Sequence, residues 1–130
     1  MSQYKIVYYE TENEECFIQD FINERSVNNQ AKILANLSIL QERGPILPRP
    51  FADILEDGIH ELRIKLSGDQ IRILYFFVFK DFIVLTHAFR KNSDKVPKSE
   101  IKKAKLYRDD FLKRFTEKML RKEFKDENTK

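Results

Sequence analysis

A chain of 130 residues suits one domain, 1–130, and its 42% apolar and 35% charged residues exclude a disordered polypeptide. A single cysteine, Cys16, rules out an internal disulfide and fits a reducing cytoplasm; "MSQYKIVYYE" lacks a signal-peptide pattern, and no apolar run approaches the ~20 residues of a membrane span. The net charge of +3 hides an asymmetry: residues 1–89 hold 9 Lys/Arg against 13 Asp/Glu, residues 90–130 hold 15 against 8, and the basic half points to a polyanionic partner.

Residues 3–9 read as a short strand. Residues 14–25 place Phe17, Ile18, Phe21 and Ile22 on one helical face. Residues 27–43 repeat the pattern with Ala31, Leu34, Leu37 and Leu40, with Ile33 beside them, and Gly44-Pro45 stops that helix. The proline-rich stretch 44–58 reads as a loop. Three strand signals follow, roughly 59–66, 71–79 and 82–90, with short turns at Gly68-Asp69 and Lys80-Asp81. A helix after Pro97 buries Ile101, Ala104, Phe111, Phe115 and Met119 and ends near 123; about 124–130 should fray. The order β-α-α-β-β-β-α predicts an α+β fold, an antiparallel sheet with an N-terminal helical hairpin and a C-terminal helix.

The two turns imply a register. Lys65 would face Arg72, Arg63 would face Leu74, Leu74 would face His87, and Arg72 would face Phe89. Leu62, Ile64, Ile73, Tyr75 and Val84 then share the core face. Glu61, Arg63, Lys65, Arg72, Leu74, Phe76, Leu85, His87 and Phe89 share the other, with Glu61 its one opposite charge. Like charges directly opposed destabilise a sheet, so such a cluster suits a visiting anion, and Arg72 should be dispensable to the fold. The apolar strip of Leu74, Phe76, Val78, Leu85 and Phe89 requires a cover, either the C-terminal helix or a partner segment. Arg90, Lys91, Lys95 and Lys98 continue the cations beyond the third strand. Cations interleaved with aromatics suit a nucleic-acid backbone.

No Cys/His or paired-carboxylate spacing suggests a metal cage, His60 reads as a strand-edge residue, and no glycine-rich phosphate loop is present. No metal or cofactor is therefore predicted. RNA cleavage requires neither, because the 2′-hydroxyl of the substrate can attack its own phosphate. The protein supplies a base, an acid and cations. His87 titrates near neutral pH, and a like charge across the hairpin disfavours the protonated form of Lys65. Arg63 and Arg72 bind phosphate in a fork. The same set would also serve binding without cleavage.

Glu61-Leu62-Arg63, then Arg72-Ile73-Leu74-Tyr75-Phe76, then His87-x-Phe89-x-Lys91, with Lys95, Pro97, Glu100-Ile101 and Ala104, resembles the phage-derived HigB-like branch of the RelE/ParE toxin superfamily. The resemblance implies a cytoplasmic toxin of a type II toxin–antitoxin pair. It would be a metal-free endoribonuclease acting on mRNA at the ribosome, neutralised by a small helix-turn-helix (HigA-like) antitoxin. It places Arg72, His87 and Lys65 as catalytic candidates, and Arg63, Phe89, Arg90, Lys91 and Lys95 as RNA-binding ones. The chain departs from the pattern at Asn92, where a second lysine is usual, and at Val96, where threonine is usual. Another branch of the superfamily inhibits DNA gyrase, and a binding protein that kept the fold without the chemistry is a further alternative.

Overall fold

The computed structural model describes residues 4–92 and 95–128, with side chains described through Lys125. Ten elements follow in order: β1 (Lys5–Tyr8), α1 (Phe17–Asn23), α2 (Val27–Arg43), a 3-10 turn (Gly44–Ile46), β2 (Ala52–Glu56), β3 (Ile59–Leu66), β4 (Asp69–Val78), β5 (Phe82–Arg90), α3 (Lys98–Arg114) and α4 (Glu117–Asn128). The sheet order is β1-β5-β4-β3-β2. β2 to β5 form an antiparallel meander, and β1 lies parallel to β5 at the far edge. The α+β class is as expected, with one parallel strand pair added.

Two strips of apolar side chains give the sheet two cores. On one face Leu62, Ile64, Leu66, Ile71, Ile73, Tyr75, Ile83 and Leu85 meet the helical hairpin through Ile18, Ile22, Ile33, Leu37 and Leu40. The stripe of α2 is rotated from the expected one, since Leu34 is 49% exposed while Ile33 is fully buried. Ser26 caps α2 by accepting a hydrogen bond from the Asn29 amide at 3.2 Å. On the other face Ile59, Leu74, Phe76, Phe82 and Val84 meet α3 and α4 through Ala104, Phe111 and Leu120. The C-terminal helices therefore supply the cover that the apolar strip required.

Four expectations need correction. Residues 44–58 are not all loop: β2 begins at Ala52 and turns into β3 at Asp57-Gly58, whose φ values of 49° and 77° are the paired left-handed conformations of a tight hairpin. The first predicted turn is centred on Ser67-Gly68, with Gly68 second at φ 77°, and Leu66 pairs with Asp69. That moves the register by two residues, an even number, so every side chain keeps its face. The second turn holds three residues, because Val78 pairs with Phe82. The resulting odd shift is undone at a bulge where Thr86 is the extra residue. Between turn and bulge the faces exchange: Val84 lies under α3 and α4, and Leu85 joins the hairpin core. Beyond the bulge Leu74 pairs with His87 and Arg72 with Phe89, as expected. Finally, the C-terminal helix is two helices. Phe115 is extended (φ −122°, ψ 135°), and Thr116 accepts from the Met119 amide at 3.2 Å to start α4, which continues to Asn128.

Candidate functional site

Arg63 and Lys65 on β3 share a face with Gln70 and Arg72 on β4 and Phe89 on β5. Lys65 pairs with Gln70, so the like charge on which its role as a base was expected to rest is not opposite it. Arg63 stands across from Arg72 instead. What makes that opposition tolerable is Glu61, two residues along β3 on the same face. Its carboxylate is 3% exposed, accepts a hydrogen bond from Arg63 Nε at 3.2 Å, and pairs with Arg72 Nε at 2.9 Å. The Arg72 contact is ionic but not aligned along the N–H bond, since Arg72 Nε has no hydrogen-bond partner. Arg72 is 5% exposed. It donates from Nη1 to the Ile71 carbonyl at 3.1 Å and from Nη2 to Gln70 Oε1 at 3.4 Å. Burial lowers its pKa, with Glu61 opposing the shift. Arg72 is thus part of a buried ion network, not the dispensable member of a repelling cluster. On the outer side, Asp53 of β2 pairs with Arg63 at 3.4 Å and with Arg49 at 2.9 Å, and the Arg49 contact leads in holding the Asp53 carboxyl below its ordinary range.

The β2–β3 ladder ends at the Ala52–Leu62 pair and the hydrogen bond from the Arg63 amide to the Phe51 carbonyl, and beyond it the edge of β3 opens into a groove of about 510 Å³. Arg63, Lys65 and Arg72 line one side; Pro50, Phe51 and Asn36 of α2 line the other. Lys65 is exposed and Arg63 half-buried.

His87 is placed differently. α3 lies over it, leaving it 6% exposed, and its Nε2 lies 3.0 Å from Glu100 Oε1. Its Nδ1 is 3.0 Å from Thr86 Oγ1, which donates to the Leu74 carbonyl at 3.1 Å. The ring stacks on Phe89 and meets the edge of Tyr107. Burial lowers its pKa, and the Glu100 contact only partly offsets this. The structure therefore brings Arg63, Lys65 and Arg72 together at the groove and sets His87 under a helix. Arg90 pairs with Asp69 at 2.5 Å at the hairpin end, the Lys91 amide donates to the Gln70 carbonyl at 2.8 Å, and Lys95 is exposed ahead of α3.

A protein-family model described as "Phage derived protein Gp49-like (DUF891)" matches residues 20–108, more than half of the chain. The chain belongs to the Gp49-like family. This is a family of RelE/HigB-like toxins associated with toxin–antitoxin pairs, which in general implies an antitoxin partner. No curated protein matches the chain. The Gp49-like match covers the whole of the groove and the His87–Glu100 pair.

Several site residues of this Gp49-like chain escape a sequence reading. Glu61 looked like a lone opposite charge, and only the register reveals it as the bridge between two arginines. Glu100 stood in the resemblance string without a role. Phe51 and Asn36 come from a segment read as loop and from the solvent side of a helix; no local signal marks them. Among the described residues, no three His, Cys, Asp or Glu side chains converge as a metal ion would need, and no helix is long and apolar enough to cross a membrane.

Proposed function

We propose that this chain is the toxin of a type II toxin–antitoxin pair and cleaves mRNA on the translating ribosome without a metal, neutralised by a helix-turn-helix antitoxin. The observation that carries this reading is the open groove holding Arg63, Lys65 and Arg72 along an uncovered strand edge, faced by an exposed aromatic ring. A strand of RNA laid there meets cations at its phosphates. The 2′-hydroxyl attacks the adjacent phosphorus, and the P–O5′ bond breaks. The attacking oxygen loses its proton to a base and the leaving oxygen gains one, giving a cyclic phosphate and a 5′-hydroxyl.

Lys65, the most exposed of the three cations, is our candidate for proton transfer. Arg63 presents its guanidinium to the phosphorane charge, and Arg72 with Glu61 holds Arg63 in place. We assign His87 to anchoring α3, since its two ring nitrogens meet Thr86 and Glu100. Phe89, Arg90, Lys91 and Lys95 extend the surface for the RNA or the ribosome.

The test is cleavage by the purified chain of mRNA on programmed ribosomes. Loss of a preorganised cation costs on the order of 10²–10³ in rate, so Lys65→Ala and Arg63→Ala should each fall by that factor. Both variants cutting at the parental rate would remove the groove from the chemistry. No cleavage by the parent, together with DNA-gyrase inhibition, would replace the nuclease reading.

A further inference from the structure

Phe51 separates the cationic groove from a second one. That neighbour, about 210 Å³ in volume, has apolar walls from Ile39, Leu47 and Phe51 and polar groups from Asn36 and Arg43. Asn36 and Phe51 line both grooves. The Phe51 ring is 54% exposed and Ile39 46% exposed. The wall is nevertheless fixed: the Phe51 amide donates to the Pro48 carbonyl at 3.0 Å, and the Arg63 amide donates to the Phe51 carbonyl at 2.8 Å. Asn36 Nδ2 donates one N–H to the Lys32 carbonyl at 2.8 Å, which holds the amide in place and leaves its Oδ1 to accept and its second N–H to donate.

We propose that this second groove is a nucleobase pocket, in which a base of the RNA stacks on Phe51 while its phosphate lies on Arg63 and Lys65. The inference rests on the RNA reading above and extends it. An apolar slot with an aromatic wall and two placed polar groups is the ordinary form of a site for a flat heterocycle. The exposed Lys65 and half-buried Arg63 next door favour a ligand that carries negative charge beside its apolar part, as a nucleotide does and a lipid chain or apolar peptide does not. Asn36 and Arg43 line the slot and bring an amide and a guanidinium to the edge of a bound heterocycle. Stacking of one base is worth a factor of roughly 5 to 150 by alanine substitution.

The experiment uses ribosomes programmed with an mRNA carrying an abasic nucleotide at each position near the cut in turn. For the parent, one position should be sensitive, with loss of its base slowing cleavage roughly tenfold or more. Phe51→Ala should slow cleavage of the intact mRNA by a similar factor and show no further loss at that abasic position. Ile39→Glu, which closes the slot from α2, should behave alike, and Phe51→Tyr should restore the parental pattern. A parent that cleaves while the base loss and Phe51→Ala multiply overturns the pocket and leaves the RNA reading standing. A parent that cleaves nothing overturns both. A Phe51→Ala variant that cleaves like the parent but escapes its antitoxin assigns the ring to protein docking and also overturns the pocket.

Discussion

Replacing Glu61 by Leu removes the one carboxylate shared by two arginines that face each other across β3 and β4. Arg72, 5% exposed, is then left beside Arg63 without its counter-charge. Breaking a buried pair from one side costs about 3–5 kcal/mol, because the remaining charge stays desolvated. For a domain of this size that is a fall in Tm of roughly 10–20 °C. Arg72→Leu should cost less, about 2 kcal/mol, because Glu61 keeps the Arg63 hydrogen bond at 3.2 Å. The double variant removes both buried charges and leaves Arg63 with Asp53 at 3.4 Å, so it should cost well below the sum, with a coupling of about 2–3 kcal/mol. Thermal and denaturant unfolding followed by circular dichroism on the four proteins measures this cycle. Additive costs, or a Glu61→Leu variant within about 1 kcal/mol of the parent, would refute the view that Glu61 makes the arginine pair tolerable.

Three further outcomes follow from the packing. The pKa of His87 is lowered on folding, so the unfolded chain binds the extra proton and stability falls as pH drops below the ordinary histidine value of 6.5; melts between pH 7 and pH 5 should show this, and His87→Gln should flatten the decline to what His60, likewise lowered by burial, contributes. Gly44→Ala drives a Cβ into the Tyr4 ring at a backbone φ of +55°, so the strained conformation alone should cost about 1–2 kcal/mol, read as a lower Tm. Arg121 ties α4 to the β4–β5 turn through Asp81 at 2.7 Å and the Phe79 carbonyl at 3.0 Å; Arg121→Ala should leave the global Tm almost unchanged, yet speed hydrogen exchange in residues 117–124 ahead of the sheet.

Much of the fold was legible because its signals are local. α2 carries a periodic apolar stripe and a glycine stop, and three strands alternate over eight or more residues. β2 was hidden by the prolines before it, although Asp57-Gly58 is a strong hairpin pair and should have outweighed them. The break at Thr116 was masked by apolar spacing that continues through Phe115 and Met119; in α4, Leu120 is the buried residue and Met119, expected in the core, is 49% exposed. Face assignments depended on parity. The error of two at Ser67-Gly68 kept every face but moved Lys65 from opposite Arg72 to opposite Gln70, while the error of one after Val78 exchanged Val84 and Leu85 until Thr86 restored the count. The cations of the site could be named from sequence. Their neutralisation by Glu61 could not, because it depends on which residues stand side by side across strands, and neither could the burial of His87, which depends on where α3 lands.

We propose that the open cationic groove cuts translated RNA. The direct measurement is transcriptome-wide mapping of mRNA 5′ ends after brief induction of the chain in growing cells, beside Lys65→Glu, a change at an exposed side chain that the fold does not use. Cleavage at the groove should give new 5′-hydroxyl ends confined to translated regions for the parent, and none above background for the variant. Growth arrest with intact mRNA, or the same cuts from Lys65→Glu, would contradict it.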